Sequence, residues 1–259
     1  MKNQKFLVVF LTVLVVVQLA CSLAGAPEPT ATQPPLPTNT VASTATPEPT
    51  ATETSTPRPT RAHTPTATPF PAFFREEMER QVGTLWNTYV FGDSSKNTYR
   101  FRDGELLFSI NESNAGIEFI YTPYNYSDVK IDAVFDNKPE SRNTINVTLL
   151  CRVSDAGFYQ VWITNDGRYG FQAYDSSTEK SETLFQGASL VINQGKTTNE
   201  YGLQCKGNKI TLFINGQEIK TVEENKLGLQ EGTVGIYVGA VQTLVPVIVG
   251  VDWLEISEP

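Results

Sequence analysis

Histidine is almost missing from this 259-residue chain: the only one is His63, set among threonines and prolines. A fold without histidine has no His-based triad, no His-ligated zinc and no imidazole general base. No Gly-x-Ser-x-Gly elbow and no phosphate-binding glycine loop occurs either. Cysteine is scarce, at three residues. Positive charge is in deficit, with twenty Lys and Arg against twenty-eight Asp and Glu, a formal −8. Four of the bases and three of the acids precede Phe73, so the remainder holds sixteen against twenty-five, a net −9. Such a surface repels phosphate backbones, and no Lys/Arg cluster with interleaved aromatics offsets it. That argues against nucleic acid as a partner. Long apolar runs are limited to residues 6–17, broken only by Thr12 and preceded by Lys2 and Lys5. The run is shorter than the ~20 residues that cross a bilayer as a helix, and it fits the apolar core of an export signal.

Gln18-Leu19-Ala20-Cys21 follows that run. Leu19-Ala20-Cys21 resembles the end of a bacterial lipoprotein signal, in which the cysteine becomes the first mature residue and carries diacylglycerol. Gln18 stands where that family usually has Leu or another apolar residue. The alternatives are an uncleaved anchor and cleavage after Ala26, since Ala24-Gly25-Ala26 has the A-x-A form. Pro27 would then follow the cut, a residue that ordinary signal peptidase tolerates poorly. The first reading gives a signal peptide over residues 1–21 and an anchor to the outer face of the cytoplasmic membrane at Cys21.

Proline is concentrated rather than scarce: twelve of sixteen lie in residues 27–71. Pro-Glu-Pro-Thr-Ala-Thr occurs twice there, and Pro-Thr-Ala-Thr once more at residues 65–68. Proline blocks helix and ladder hydrogen bonds, and β-branched threonine stiffens the chain toward extended states. Residues 22–72 therefore read as a disordered, polyproline-biased stalk. At about 3.1 Å per residue it reaches at most ~150 Å. Three N-glycosylation sequons, at Asn111, Asn125 and Asn146, are read as chance matches.

The remaining residues, 73–259, are enough for one domain burying roughly 70% of its unfolded surface. The charged segment 73–81 reads as one or two helical turns. After it, period-two patterns dominate. Val129, Ile131, Ala133 and Phe135 alternate with Asp128, Lys130, Asp132 and Asp136. Val147, Leu149, Cys151 and Val153 form a second such strand, and Val247, Val249, Val251 and Trp253 a last one. Two strands flank Asn165-Asp166-Gly167 and two more flank Asn215-Gly216, both hairpin signals. About a dozen short strands predict an all-β, two-sheet antiparallel sandwich. With Cys21 in the signal, Cys151 and Cys205 remain as an even pair in an oxidising compartment. Each holds an apolar-phase position, so a buried disulfide is expected.

From about Asp128 onward the chain resembles a concanavalin A-like lectin/glucanase jelly roll, similar to 3-keto-disaccharide hydrolase-like and laminin G-like modules. The string Lys206-Gly207-Asn208-Lys209-Ile210-Thr211-Leu212-Phe213-Ile214-Asn215-Gly216 is the strongest match. Phe158-Tyr159-Gln160-Val161-Trp162-Ile163 and Val251-Asp252-Trp253-Leu254 support it. The resemblance implies a fold shared by hydrolases, lectins and adhesion modules, and so leaves function open. Glucanases of this superfamily carry a Glu-x-Asp-x-x-Glu strand, and no Glu-x-Asp occurs here. Calcium, which some laminin G-like relatives use, would need a cage that Asp155, Asp166 and Asp175 are too scattered in sequence to suggest.

Binding requires less than catalysis. Asp132, Arg152, Gln160, Trp162, Gln172 and Tyr174 all fall on the polar phase of their strands. An aromatic platform edged by amide, carboxylate and guanidinium groups suits a sugar. The expectation is a surface-anchored, non-catalytic binding module for a glycan, without a required cofactor. The alternatives are a glycoside hydrolase using an unrecognised carboxylate pair, and a structural or protein-adhesion domain. Mass spectrometry of the exported protein should find Cys21 as the lipid-bearing first residue; a mature chain starting at Pro27 would assign ordinary secretion instead.

Overall fold

The computed structural model describes residues 70–79, 85–142, 145–240 and 244–259. Cys21, His63 and the Thr/Pro-rich segment up to residue 69 lie outside these described residues, as does the export signal. Fifteen strands are described. They are β1 (Phe74–Glu76), β2 (Trp86–Phe91), β3 (Thr98–Arg102), β4 (Glu105–Ile110), β5 (Gly116–Tyr126), β6 (Val129–Asn137), β7 (Asn146–Ser154) and β8 (Gly157–Thr164). They continue with β9 (Arg168–Asp175), β10 (Lys180–Ala188), β11 (Thr198–Lys206), β12 (Lys209–Ile214), β13 (Gln217–Glu223), β14 (Gly232–Gly239) and β15 (Val247–Ser257). Two sheets hold them. The first runs β13-β12-β11-β6-β15-β4-β3, with β1 also paired to β15. The second runs β10-β9-β8-β7-β14-β5-β2. Every pairing is antiparallel.

The alternation in the sequence decides which side chains face between the sheets. Val129, Ile131, Ala133 and Phe135 of β6 are buried, as are Val147, Leu149 and Cys151 of β7 and Tyr159, Val161 and Ile163 of β8. Aromatic rings meet in the core edge to face, Tyr99 on Phe119 at 4.8 Å and Phe108 on Phe119 at 5.5 Å between centroids. Each such pair adds about 0.5–1.5 kcal/mol beyond its burial. At the β12–β13 hairpin, Asn215 and Gly216 take φ of 49° and 76°, the left-handed pair that a tight two-residue turn requires.

Two departures from strict alternation correct the sequence expectation. The register of β15 shifts between Val251 and Leu254, so Leu254 and Ile256 fill the core in place of Trp253. A bulge adds one residue and reverses the phase beyond it. Trp253 is thereby turned outward, under the guanidinium of Arg75 at 3.9 Å. The second departure is the segment 73–81, which contains β1 rather than helical turns. Pairing of β4 with β15 ends at Val251, and β1 takes up the free backbone from Leu254 to Ile256. The approach to β1 is held by tyrosine hydroxyls: Tyr124, Tyr121 and Tyr126 of β5 donate to the carbonyls of Phe70, Pro71 and Ala72. Phe74 packs on Tyr121 with ring centroids 4.9 Å apart.

Cys151 of β7 and Cys205 of β11 form a disulfide, with Cα atoms 6.6 Å apart. It therefore crosses the core and joins the two sheets. The bridge spans 54 residues of sequence, and chain-entropy reasoning assigns it roughly 4 kcal/mol. Unfolding in urea with and without reductant should differ by about 2–4 kcal/mol, and the unreduced chain should titrate no free thiol at either position. Equal midpoints in the two conditions would remove the bridge from the stability of this fold.

Candidate functional site

The outer face of the second sheet carries the candidate site. Its cross-strand registers place side chains in rows. One row runs Tyr89, Glu118, Tyr237, Thr148, Trp162 and Gly170, across β2, β5, β14, β7, β8 and β9. The next runs Asn87, Ile120, Gly235, Leu150, Gln160 and Gln172 across the same strands.

Glycines shape this face. A Cβ on Gly170 would fall 2.5 Å from the Trp162 indole, and one on Gly116 or Gly239 would fall 2.2 Å from the Tyr237 hydroxyl. Trp162 thus lies over Gly170, and Tyr237 over Gly116 and Gly239. Where a side chain would normally hold a ring up, the bare backbone lets it lie down. Phe91 meets the Tyr237 ring edge-on at 6.1 Å. Tyr89 and Phe91 are about half exposed, at 50% and 49%.

Polar groups edge the rings. Gln160 Nε2 donates to Gln172 Oε1 at 2.7 Å, which fixes both amides on the same patch. Beyond them Tyr174 stacks on Phe158 with centroids 4.9 Å apart. Glu118 is the only carboxylate at an outward position of β2, β5, β14, β7, β8 or β9 among the described residues. Burial raises its pKa. The neighbouring Tyr237 is pushed up to about 12, by burial first and then by the Glu118 charge. Both groups thus resist losing a proton.

Four of the six residues expected to form one site, Gln160, Trp162, Gln172 and Tyr174, share this face. Two do not join them. Asp132 lies on the outer face of the first sheet, 2.8 Å from Lys130 Nζ, because β6 pairs with β11 and β15 and not with β7. Alternation tells outward from inward, and it does not tell one sheet from the other. Arg152 is on the second sheet but only 2% exposed. The register of β7 shifts between Cys151 and Ser154, and Arg152 has a φ of 52°. Its guanidinium donates to the Ser127 carbonyl at 2.8 Å and to the Leu229 carbonyl at 2.8 Å. Those donors are used inside the protein.

Arg152 belongs to a buried polar node that fixes the loop after β13. Tyr159 donates its hydroxyl to Glu224 and accepts the Leu229 N–H at 2.9 Å. Glu224, 4% exposed, also accepts the backbone N–H groups of Lys226, Leu227 and Gly228 at 2.6, 2.9 and 3.1 Å. Burial works to raise the Glu224 pKa, and these four donors outweigh it, so the net direction is down.

The aspartates considered for calcium are engaged locally. Asp166 is bound by Arg168 at 2.6 Å, and Asp175 accepts from Ser177 Oγ at 2.7 Å. Among the described residues no group of three His, Cys, Asp or Glu side chains could hold a metal ion.

Sequence reasoning missed Glu118, Tyr237, Tyr89 and Phe91. One signal was visible: Gly235, Tyr237 and Gly239 alternate on one phase, an aromatic set between two bare positions. Glu118, a lone charge between Ile117 and Phe119, offered only a weak one.

No family model matches the chain, and no curated protein does. Solved structures do match. A β-1,3-1,4-glucanase (lichenase) from a mouse hindgut metagenome aligns at a TM-score of 0.54 and 12% identity, over 72% of this chain and 99% of that one. Bacillus licheniformis β-glucanase aligns at 0.53 and 11% identity, over 73% and 100%. A Bacillus subtilis protein of unknown function with a galectin-like fold aligns at 0.52 and 12% identity, over 71% and 94%. The fold is a concanavalin A-like jelly roll. At these identities the likeness is one of fold, and the jelly roll's function must come from the residues on its sheets.

Glu224 makes the jelly roll acid-sensitive in a defined direction. A carboxyl held below its unfolded value, about 4.5, adds stability that is complete above that pH and is lost as pH falls through the folded value. Glu224→Gln should cost about 1–3 kcal/mol at neutral pH, since four donors lose a charged acceptor. It should also flatten the decline in urea midpoint on acidification. An unchanged acid limb in the variant would assign that limb to other carboxylates.

Proposed function

We propose that this chain is a surface-displayed, non-catalytic carbohydrate-binding module, anchored outside the cytoplasmic membrane through Cys21 and held away from it by the Thr/Pro-rich stalk. One observation carries the binding role: two aromatic rings, Trp162 and Tyr237, are laid over glycines on one sheet face. Pyranose rings present C–H faces that stack on flat aromatics, and their hydroxyls need fixed donors and acceptors at the edge. Gln160, Gln172 and Glu118 stand where that edge would be.

The names of structural neighbours add support of a general kind. The lichenase and the Bacillus licheniformis enzyme are glucanases by name, and they share this fold. Hydrolysis by a carboxylate pair needs two acids about 5–9 Å apart across the bound sugar. Among the described residues Glu118 is the one carboxylate at an outward position of β2, β5, β14, β7, β8 or β9, which favours binding over cleavage.

A glycan-array screen of the full chain, repeated with Trp162→Ala, tests the proposal. The wild-type chain should retain a defined set of oligosaccharides, and the substitution should weaken binding at least ~10-fold, the worth of one lost stacking contact of about 1.4 kcal/mol. Release of reducing ends from a bound glycan would assign hydrolysis instead. Binding that survives Trp162→Ala unchanged would place the site elsewhere.

A further inference from the structure

Glu118 is the most unusual group on the face. It is half-buried, and its carboxylate has neither a hydrogen-bond nor an ion-pair partner among the described residues. Other acids withdrawn from solvent are engaged: Asp132 pairs with Lys130 at 2.8 Å, and Glu224 accepts four hydrogen bonds. Glu118 sits directly between two tyrosines, with Tyr89 across β2 and Tyr237 across β14. Phe91 is in ring contact with Tyr237. Two cations of the sheet are occupied, Arg152 by the Ser127 and Leu229 carbonyls and Arg168 by Asp166. A partly desolvated carboxylate with a tyrosine at the paired position on each neighbouring strand, and left without a counter-charge, is complementary to a cation.

We infer that the platform selects a cationic sugar, one whose ring carries a protonated amine, with the ammonium seated on Glu118 between Tyr89 and Tyr237. This rests on the carbohydrate-binding reading above and narrows it to amino sugars of the glucosamine type. A neutral sugar offers Glu118 one hydroxyl hydrogen bond. An ammonium offers a charge-assisted bond and also electrostatic attraction to the aromatic side chains beside it. Another ring of the same oligomer stacks on Trp162, three strands away in the same row and about 14 Å distant at the usual strand spacing. The net charge of −9 on residues 73–259 works in the same direction for approach of a cation, and is not specific to the site.

The test compares two oligomers with the same β-1,4 backbone: a glucosamine hexamer with free amines and a glucose hexamer. Isothermal titration of the full chain is run at a pH where the amines are protonated. The expected result is about tenfold tighter binding of the glucosamine hexamer, equivalent to roughly 1.4 kcal/mol. In Glu118→Gln, with the thermal midpoint checked to confirm folding, that ratio should fall to about one. The variant keeps every other acid, so a preference due only to overall charge would persist in it. Such persistence overturns the inference, as does equal binding of the two hexamers by the wild-type chain; both outcomes leave the sugar platform standing. Failure of both hexamers, together with an empty glycan array, would overturn the platform and the inference with it.

Discussion

Antiparallel pairing with one face sealed is the constraint on which everything else depends. Once Ile117, Phe119, Val147, Leu149, Val161 and Ile236 are committed to the space between the sheets, their neighbours Glu118, Thr148, Trp162 and Tyr237 have one direction left. A slip of one residue in any of these strands would exchange the two sets, at the cost of several buried side chains. The core therefore fixes the register of the outer row, and the disulfide between β7 and β11 fastens the sheet that carries the row to its partner. The position of the candidate site is a consequence of stability rather than an addition to it.

Within that framework, glycine does the local shaping. A sheet face built from ordinary residues raises its aromatic rings on edge among neighbouring side chains. Here Gly116, Gly170 and Gly239 leave bare backbone under Tyr237 and Trp162. Glycine in a strand weakens it, by loss of packing and by greater freedom in the unfolded chain. Its concentration beneath the two rings means that local strand stability has been exchanged for ring orientation at the place where a ligand would lie.

Much of the fold was legible because it depends on short-range pattern. The strands from Val129, Val147 and Tyr159 and both hairpin turns follow from alternation and turn chemistry, and the cysteine pair from an even count on apolar-phase positions. The failures share one physical origin. Asp132 has the right phase on the wrong sheet, and phase carries no information about which sheet a strand joins. Arg152 and Trp253 stand at bulges, where one extra residue or one left-handed φ reverses the phase. Glu118 and Tyr237 become a pair only because β5 and β14, more than a hundred residues apart, lie side by side. Such adjacency is a property of topology, and no local window contains it.

The way the chain enters the sandwich has a mechanical consequence. Tension on the polypeptide ahead of Phe70 meets two attachments in succession: the hydroxyls of Tyr121, Tyr124 and Tyr126, then the short ladder of β1 on β15. The tyrosines all belong to β5, the strand that also carries Glu118. A pull on the chain at Phe70 is thus delivered first into the sheet that carries Glu118 and Trp162, along β5, before it reaches the three-residue ladder on the opposite sheet. The hydrogen bonds between β5 and its neighbours would share that load, and the disulfide-bridged core behind them would be spared it.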